Sequence, residues 1–272
     1  MSKNKGIWED IGISNDFLFG KIMSNPEICK EMLQIIFPKM EIDHIEYPEA
    51  QKHIDMDKDA RSIRIDIYVK DGRNTIYSIE MQVLNQGNLP KRSRYYQGMI
   101  DLQLVDRGIS YSNLNHTYII FICPFDLFGK GRYMYTFNHI CEEDRSIHLN
   151  DEATKIFLNA KGNMDDVGED LKAFLNYIVG IKSDNDFVKK LEDAVKEAKR
   201  NREWRHEYMT LFLRDQDNIE LGKELGKEQG EEMMSQLVQI LLRDNRTSDI
   251  ERVIQDKEYR HKLYKEYKIV SD

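Results

Sequence analysis

The stretch RSIRIDIYVKDGRNTIYSIEMQVL, residues 61–84, decides the fold. Two runs of alternating apolar and polar residues flank DGRN, the pattern of an antiparallel hairpin. Strand side chains alternate between faces, so the loop length fixes which residues oppose each other. With Gly72, Arg73 and Asn74 as the loop, Asp71 stands opposite Thr75. Counting outward, Ile63, Ile65, Ile67 and Val69 oppose Val83, Met81, Ile79 and Tyr77, and that face is apolar throughout. The other face sets Arg64 opposite Gln82, Asp66 opposite Glu80, and Tyr68 opposite Ser78. A shorter Asp-Gly turn would oppose Asp66 to Tyr77 and mix the faces, so the longer loop is favoured.

The register puts two carboxylates across a ladder, where like charges destabilise a sheet. Such a pair needs something positive beside it. A neighbouring Lys or Arg would serve, and Arg64 is available. So would a divalent cation, since Mg²⁺ takes one or two carboxylates together with water and substrate phosphate.

Upstream, SNDFLFGKIM reads as a helix with Ser14 or Asn15 as N-cap. A second helix follows, capped by Asn25 with Pro26 at its first position and ended by Pro38. Residues 41–59 are acidic and irregular, with one strand expected near 42–47. Downstream, KRSRYYQGMIDLQLVDRG reads as a helix with Tyr95, Met99 and Leu102 along one face. The run from Tyr118 to Cys123 is almost continuously apolar, as for a strand covered on both sides. RYMYTF and TKIFL add short strands. From about Gly180 the chain turns Lys/Glu-rich and helical, which divides it into a domain over 1–180 and a helical extension over 181–272.

Composition narrows the function. Forty basic residues against 48 acidic ones leave a net charge of −8. That balance argues against a protein that coats nucleic acid indiscriminately, though not against one with a local basic groove. No apolar run reaches the roughly 18–20 residues of a membrane span, so no membrane is expected as a partner. The N-terminus lacks the apolar stretch of a signal peptide. The 3 cysteines form no CxxC pair, and a cytoplasmic setting with reduced thiols is expected. Gly129–Gly131 (GKG) lacks phosphate-loop spacing, and the seven histidines show no metal-ligand spacing.

Asp66 followed by Glu80-Met81-Gln82 resembles the D…(D/E)XK core of restriction-endonuclease-like nucleases, with Gln82 in the lysine position. The segments RSRYYQGMIDLQLVDRGISYSNL and YIIFICPFDLFGKGRYMYTF, together with the opening NDFLFGKIM, are similar to the PD-(D/E)XK family transposases, a group of recombination-promoting nucleases. The likeness runs from about residue 10 to about 180.

That resemblance implies an α/β restriction-endonuclease-like core, a mixed sheet flanked by helices, carrying a C-terminal helical extension. It implies that Asp66, Glu80 and the main-chain carbonyl of Met81 hold Mg²⁺, with Mn²⁺ able to substitute, and that Gln82 orients the attacking water. Asp16 would add a contact behind these ligands or simply start its helix. Lys91, Arg92 and Arg94, just after the hairpin, would touch DNA phosphates or form a solvated helix start. The implied activity is metal-dependent cleavage of DNA in recombination or mobile elements. The alternative is a DNA-binding or oligomeric regulatory protein on the same fold, consistent with the neutral Gln82.

The tail ELGKELGKEQGEEMM, residues 220–234, repeats glycine every fourth position at Gly222, Gly226 and Gly230. Each glycine weakens a helix by about 1 kcal/mol relative to alanine, so close helix approach is the expected reason for keeping three. Met233, Leu237, Ile240 and Leu241 follow as an apolar stripe. Homo-oligomerisation or partner binding through the C-terminal helices is therefore expected.

Overall fold

The computed structural model describes residues 5–42, 44–46, 48–54, 62–104 and 110–269. Three helices lead: α1 (Lys5–Asp10), α2 (Asp16–Met23) and α3 (Pro26–Ile36). Asn15 caps α2, its side chain accepting from Leu18 N–H, and Asn25 caps α3 ahead of Pro26. Next come β1 (Glu49–Ile54), β2 (Ile63–Lys70), β3 (Ile76–Met81), α4 (Leu89–Leu104), β4 (Thr117–Cys123), β5 (Met134–Phe137) and β6 (Ala153–Asn159). Helices α5 (Glu169–Ile178), α6 (Asp186–Arg200), α7 (Arg202–Arg243), α8 (Thr247–Gln255) and α9 (Lys257–Glu266) complete the order.

The strands form one mixed sheet in the order β1-β2-β3-β4-β6-β5. β1, β2 and β3 are antiparallel; β3, β4 and β6 run parallel; β5 returns antiparallel at the far edge. Parallel neighbours need a long crossover, and α4 is the one between β3 and β4. Every residue of β4 is buried, as the apolar run requires.

The hairpin has the register counted from sequence: Ile67 opposes Ile79, Tyr68 opposes Ser78, Val69 opposes Tyr77 and Lys70 opposes Ile76. Asp71 closes the turn. Its N–H donates to Thr75 O at 3.0 Å, and its carboxylate accepts the N–H groups of Arg73 and Thr75. Asn74 takes the left-handed backbone, φ 63°. The polar face of the hairpin is covered as well as the apolar one, with Asp66, Ser78, Glu80 and Gln82 all buried.

Three expectations shift. The first strand lies at Glu49–Ile54 rather than near 42–47, where Ile45 makes an isolated bridge to Asp71; Asp43, Tyr47 and residues 55–61 fall outside the described residues. The buried face of α4 is Leu89, Ser93, Tyr96, Met99 and Ile100, while Tyr95 and Leu102 are exposed. The apolar spacing of that helix was satisfied equally well by a face rotated one residue. By contacts the chain divides at Arg205/His206 rather than at 180/181. Helix α6 belongs to the first unit because Phe187, Val188 and Leu191 are buried there, with Phe187 against Phe174 of α5.

The second unit has its own small core of Leu237, Leu241, Val253, Leu263 and Tyr264, from the end of α7 with α8 and α9. Among the described residues no helix is long and apolar enough to cross a membrane.

The turn offers a test of the register. A β-branched residue in the left-handed region costs about 1–2 kcal/mol. Asn74→Val is expected to destabilise the first unit by about that amount, and Asn74→Gly to leave it nearly unchanged. Both tryptophans, Trp8 and Trp204, lie in this unit, so urea unfolding followed by tryptophan fluorescence reads it selectively.

Candidate active site

The β2–β3 ladder ends at Ile67 opposite Ile79, and the next residues toward the site are Asp66 and Glu80. There the side chains take over from the backbone. Asp66 N–H donates to Glu80 Oε1 at 3.1 Å, and Met81 N–H donates to Asp66 Oδ2 at 2.9 Å. Each carboxylate thus accepts a main-chain donor of the opposite strand.

The other edge of β2 is opened too. The β1–β2 register passes from Ala50–Ile67 to Lys52–Ile65. Gln51 between them adopts φ 56°, and its Nε2 donates to Asp66 Oδ1 at 3.3 Å. Sequence reasoning missed Gln51, because the strand that carries it was placed several residues too early.

Arg92, in the first turns of α4, reaches back across the opening. Its Nη2 lies 2.8 Å from Glu80 Oε2 and its Nη1 donates to Gln82 Oε1 at 2.6 Å. Its Nε donates to Tyr96 OH at 3.2 Å, and the guanidinium lies over the rings of Tyr96 and Phe121 at 5.2 and 5.3 Å. Gln82 Nε2 donates to the Leu84 carbonyl, fixing the amide. An arginine does stand beside the acidic pair, but it is Arg92 rather than Arg64. Arg64 turns to Asp16 at 3.6 Å. Asp16 is the first residue of α2, its Oδ1 accepting Phe17 N–H, and Asn15 is the cap. Lys91 is exposed beside Arg92, and Arg94 is exposed elsewhere on α4.

Burial pushes the Asp66 carboxyl above the ordinary carboxylate range; the Met81 N–H offsets part of that and the charge of Asp16 adds to it. Burial also raises Glu80, where the charge of Asp66 adds to the rise and Arg92 opposes it. The side chains of Asp16, Asp66, Glu80, Gln82, Arg64 and Arg92 line a cleft of about 310 Å³. When all three carboxyls are ionised, they carry one negative charge more than the two guanidiniums offset.

Among the described residues no group of three or more His, Cys, Asp or Glu is arranged to hold a metal ion. Two hard carboxylates opening on a cleft with room for water nonetheless suit a cation such as Mg²⁺, which keeps several waters and needs few protein ligands.

A mixed sheet whose antiparallel pair parts at an Asp…Glu-x-Gln set, with a crossover helix beside it, defines a restriction-endonuclease-like α/β domain. A family model for PD-(D/E)XK nuclease family transposases matches residues 13–210, and the chain belongs to that family. Its function is therefore nuclease- or recombination-related. No curated protein and no solved structure matches the chain.

The acidic pair makes stability depend on pH. Carboxylates raised in the folded state bind protons more tightly there than in the unfolded chain, whose carboxyls titrate near pH 4. Their favourable contribution is complete below that pH and is lost as pH rises through the raised folded values. Without divalent cations, Asp66→Asn is expected to unfold at higher urea than wild type at pH 8, by on the order of 1 kcal/mol or more. The gain should shrink toward pH 4.

Proposed function

We propose that this protein hydrolyses phosphodiester bonds in DNA with Mg²⁺ as cofactor and Mn²⁺ as a substitute. The observation that carries the proposal is the mutual clasp of Asp66 and Glu80, which holds two buried carboxyl groups side by side at one cleft. Asp66 and Glu80, with the main-chain carbonyl of Met81, would hold the ion. When bound, such an ion lowers the pKa of water and polarises the scissile phosphate.

The chain's own groups do the positioning. Gln51 steadies Asp66 from β1. Gln82 holds Arg92 through its carbonyl and keeps amide hydrogen-bonding capacity to orient the attacking water. Arg92 brings to the motif's lysine position a cation that Gln82 itself lacks, with donors suited to a phosphate oxygen. Lys91 and Arg94 would contact flanking phosphates.

The rival is a DNA-binding or regulatory protein that does not cut, favoured by the Arg92–Glu80 ion pair already in place. Plasmid nicking separates the two. Wild type is expected to nick in Mg²⁺ and to stop in EDTA, and Asp66→Ala and Glu80→Ala each to lose about a hundredfold or more, the scale of removing one group that acts on transition-state charge. An inactive wild type, or activity retained in both variants, sustains the rival.

We propose further that the protein self-associates through its C-terminal helices. The faces at Gly222, Gly226 and Gly230 are exposed, with no atom within 4 Å of an added Cβ. Sedimentation is expected to give a multiple of 32.2 kDa. Gly226→Ala should shift it toward monomer if helices approach closely there; if they do not, the same change merely strengthens the helix by about 1 kcal/mol.

A further inference from the structure

Each of the four oxygens of the acidic pair accepts a hydrogen bond. Gln51 Nε2 donates to Asp66 Oδ1, Met81 N–H to Asp66 Oδ2, Asp66 N–H to Glu80 Oε1, and Arg92 Nη2 to Glu80 Oε2. Three of these donors are neutral and the fourth is a cation. We propose that Arg92 is a resident counter-ion that keeps a divalent ion off Glu80 until a DNA phosphate draws the guanidinium away, so that ion and DNA bind as a coupled pair. The proposal rests on the nuclease reading above.

The side chain of Glu80 is 3% exposed and that of Arg92 27%, with 2.8 Å between their charged atoms. Charges so placed are screened little by water, so a divalent ion on this carboxylate and the guanidinium beside it repel each other strongly. A phosphate removes the conflict, because its negative charge partners both cations. Arg92 is placed to meet one. It lines the carboxylate cleft and also an adjoining cavity of about 470 Å³, to which Arg64 and Lys91 contribute two further cations. A guanidinium grips phosphate through two parallel N–H bonds, a pairing at least as strong as the one it leaves. The same movement releases Gln82 Oε1, which Arg92 Nη1 holds at 2.6 Å. That carbonyl then accepts a hydrogen bond from the attacking water. One exchange thus opens the ion's place and frees the group that orients the nucleophile.

The test reads ion binding without turnover. Mn²⁺ is titrated into the full chain in the absence of DNA, the free ion being followed by its paramagnetic resonance signal. Arg92→Gln, folded by circular dichroism, is expected to bind Mn²⁺ about tenfold or more tightly than wild type, within the usual range of coupling between two sites. A residue that merely supported the cleft would weaken binding when removed. Arg92→Lys keeps the charge but has one head for two partners, and should fall between. Adding Asp66→Ala to Arg92→Gln should abolish the gain, which assigns the tightened ion to the cleft. Coupling is reciprocal, so wild type should bind a short DNA duplex about fivefold or more tightly in Ca²⁺ than in EDTA. If Arg92→Gln does not fold, Arg92→Lys and this last measurement decide. Mn²⁺ affinity unchanged or lower in the Arg92 variants, or DNA affinity indifferent to Ca²⁺, overturns the exchange. The cleavage proposal survives either result if wild type nicks in Mg²⁺ and Asp66→Ala does not. With no nicking, and no Mn²⁺ bound above the Asp66→Ala level, both fall.

Discussion

Two carboxylates clasp each other's strands where the pairing of β2 with β3 ends, and the site is built around that clasp. Where β2 and β3 stop pairing, the N–H groups of Asp66 and Met81 are left inside the protein. A buried donor without an acceptor costs about 1–3 kcal/mol. Glu80 accepts one and Asp66 the other. The same bonds that satisfy the backbone hold two like charges side by side in a region screened poorly from each other. Neither residue can swing away without leaving a main-chain donor unpaired, so the clasp fixes the pair's geometry before any ligand arrives. Arg92 offsets one charge and leaves the other seeking a partner.

The rest of the sheet explains why the opening sits where it does. β3 is antiparallel to β2 and parallel to β4, so it is the strand at which the sheet changes character. Its parallel partner β4 is wholly buried and gives β3 a rigid wall, with Met81 still paired to Ile122 after pairing to β2 has ended. The chain then leaves the sheet by a crossover helix that starts at Leu89, and the first turn of that helix lies close enough to the strand end for contact with Glu80 and Gln82. Arg92 lies in that turn. The position of the cation is thus a consequence of topology as much as of the residue itself.

Legibility from sequence followed the range of the interactions. The hairpin register, the Asn15 and Asn25 caps and the buried β4 were readable because each depends on residues a few positions apart: a period of two, a side chain bonded two or three residues on, an unbroken apolar run. The face of α4 was ambiguous, since Tyr95 and Tyr96 both fit a helical stripe and packing against Phe121 selected Tyr96. Gln51 was invisible, because nothing local distinguishes a glutamine in an acidic segment from one whose amide meets an aspartate 15 residues away. Arg92 was recognised as basic and near, but its bond to Glu80 depends on how the crossover helix lands. The contact division at Arg205/His206 is hard to read from sequence because the Lys/Glu-rich composition of α6 conceals four buried apolar residues.

Charge is partitioned on a scale finer than the net value. A chain of −8 repels a polyanion at long range, and at physiological ionic strength that field fades over about 8 Å. Recognition of a phosphate must then come from cations within contact distance, and three of them, Arg64, Lys91 and Arg92, line one cavity that no carboxylate lines among the described residues. The carboxylates are gathered in the adjoining cleft, where burial keeps their charge from being screened. Arg64 and Arg92 border both. Two neighbouring compartments of opposite sign, separated by shared guanidiniums, sort ligands by charge: a cation has its favourable place on the carboxylate side, a phosphate on the other. The two compartments meet where the clasp between Asp66 and Glu80 has left the sheet open.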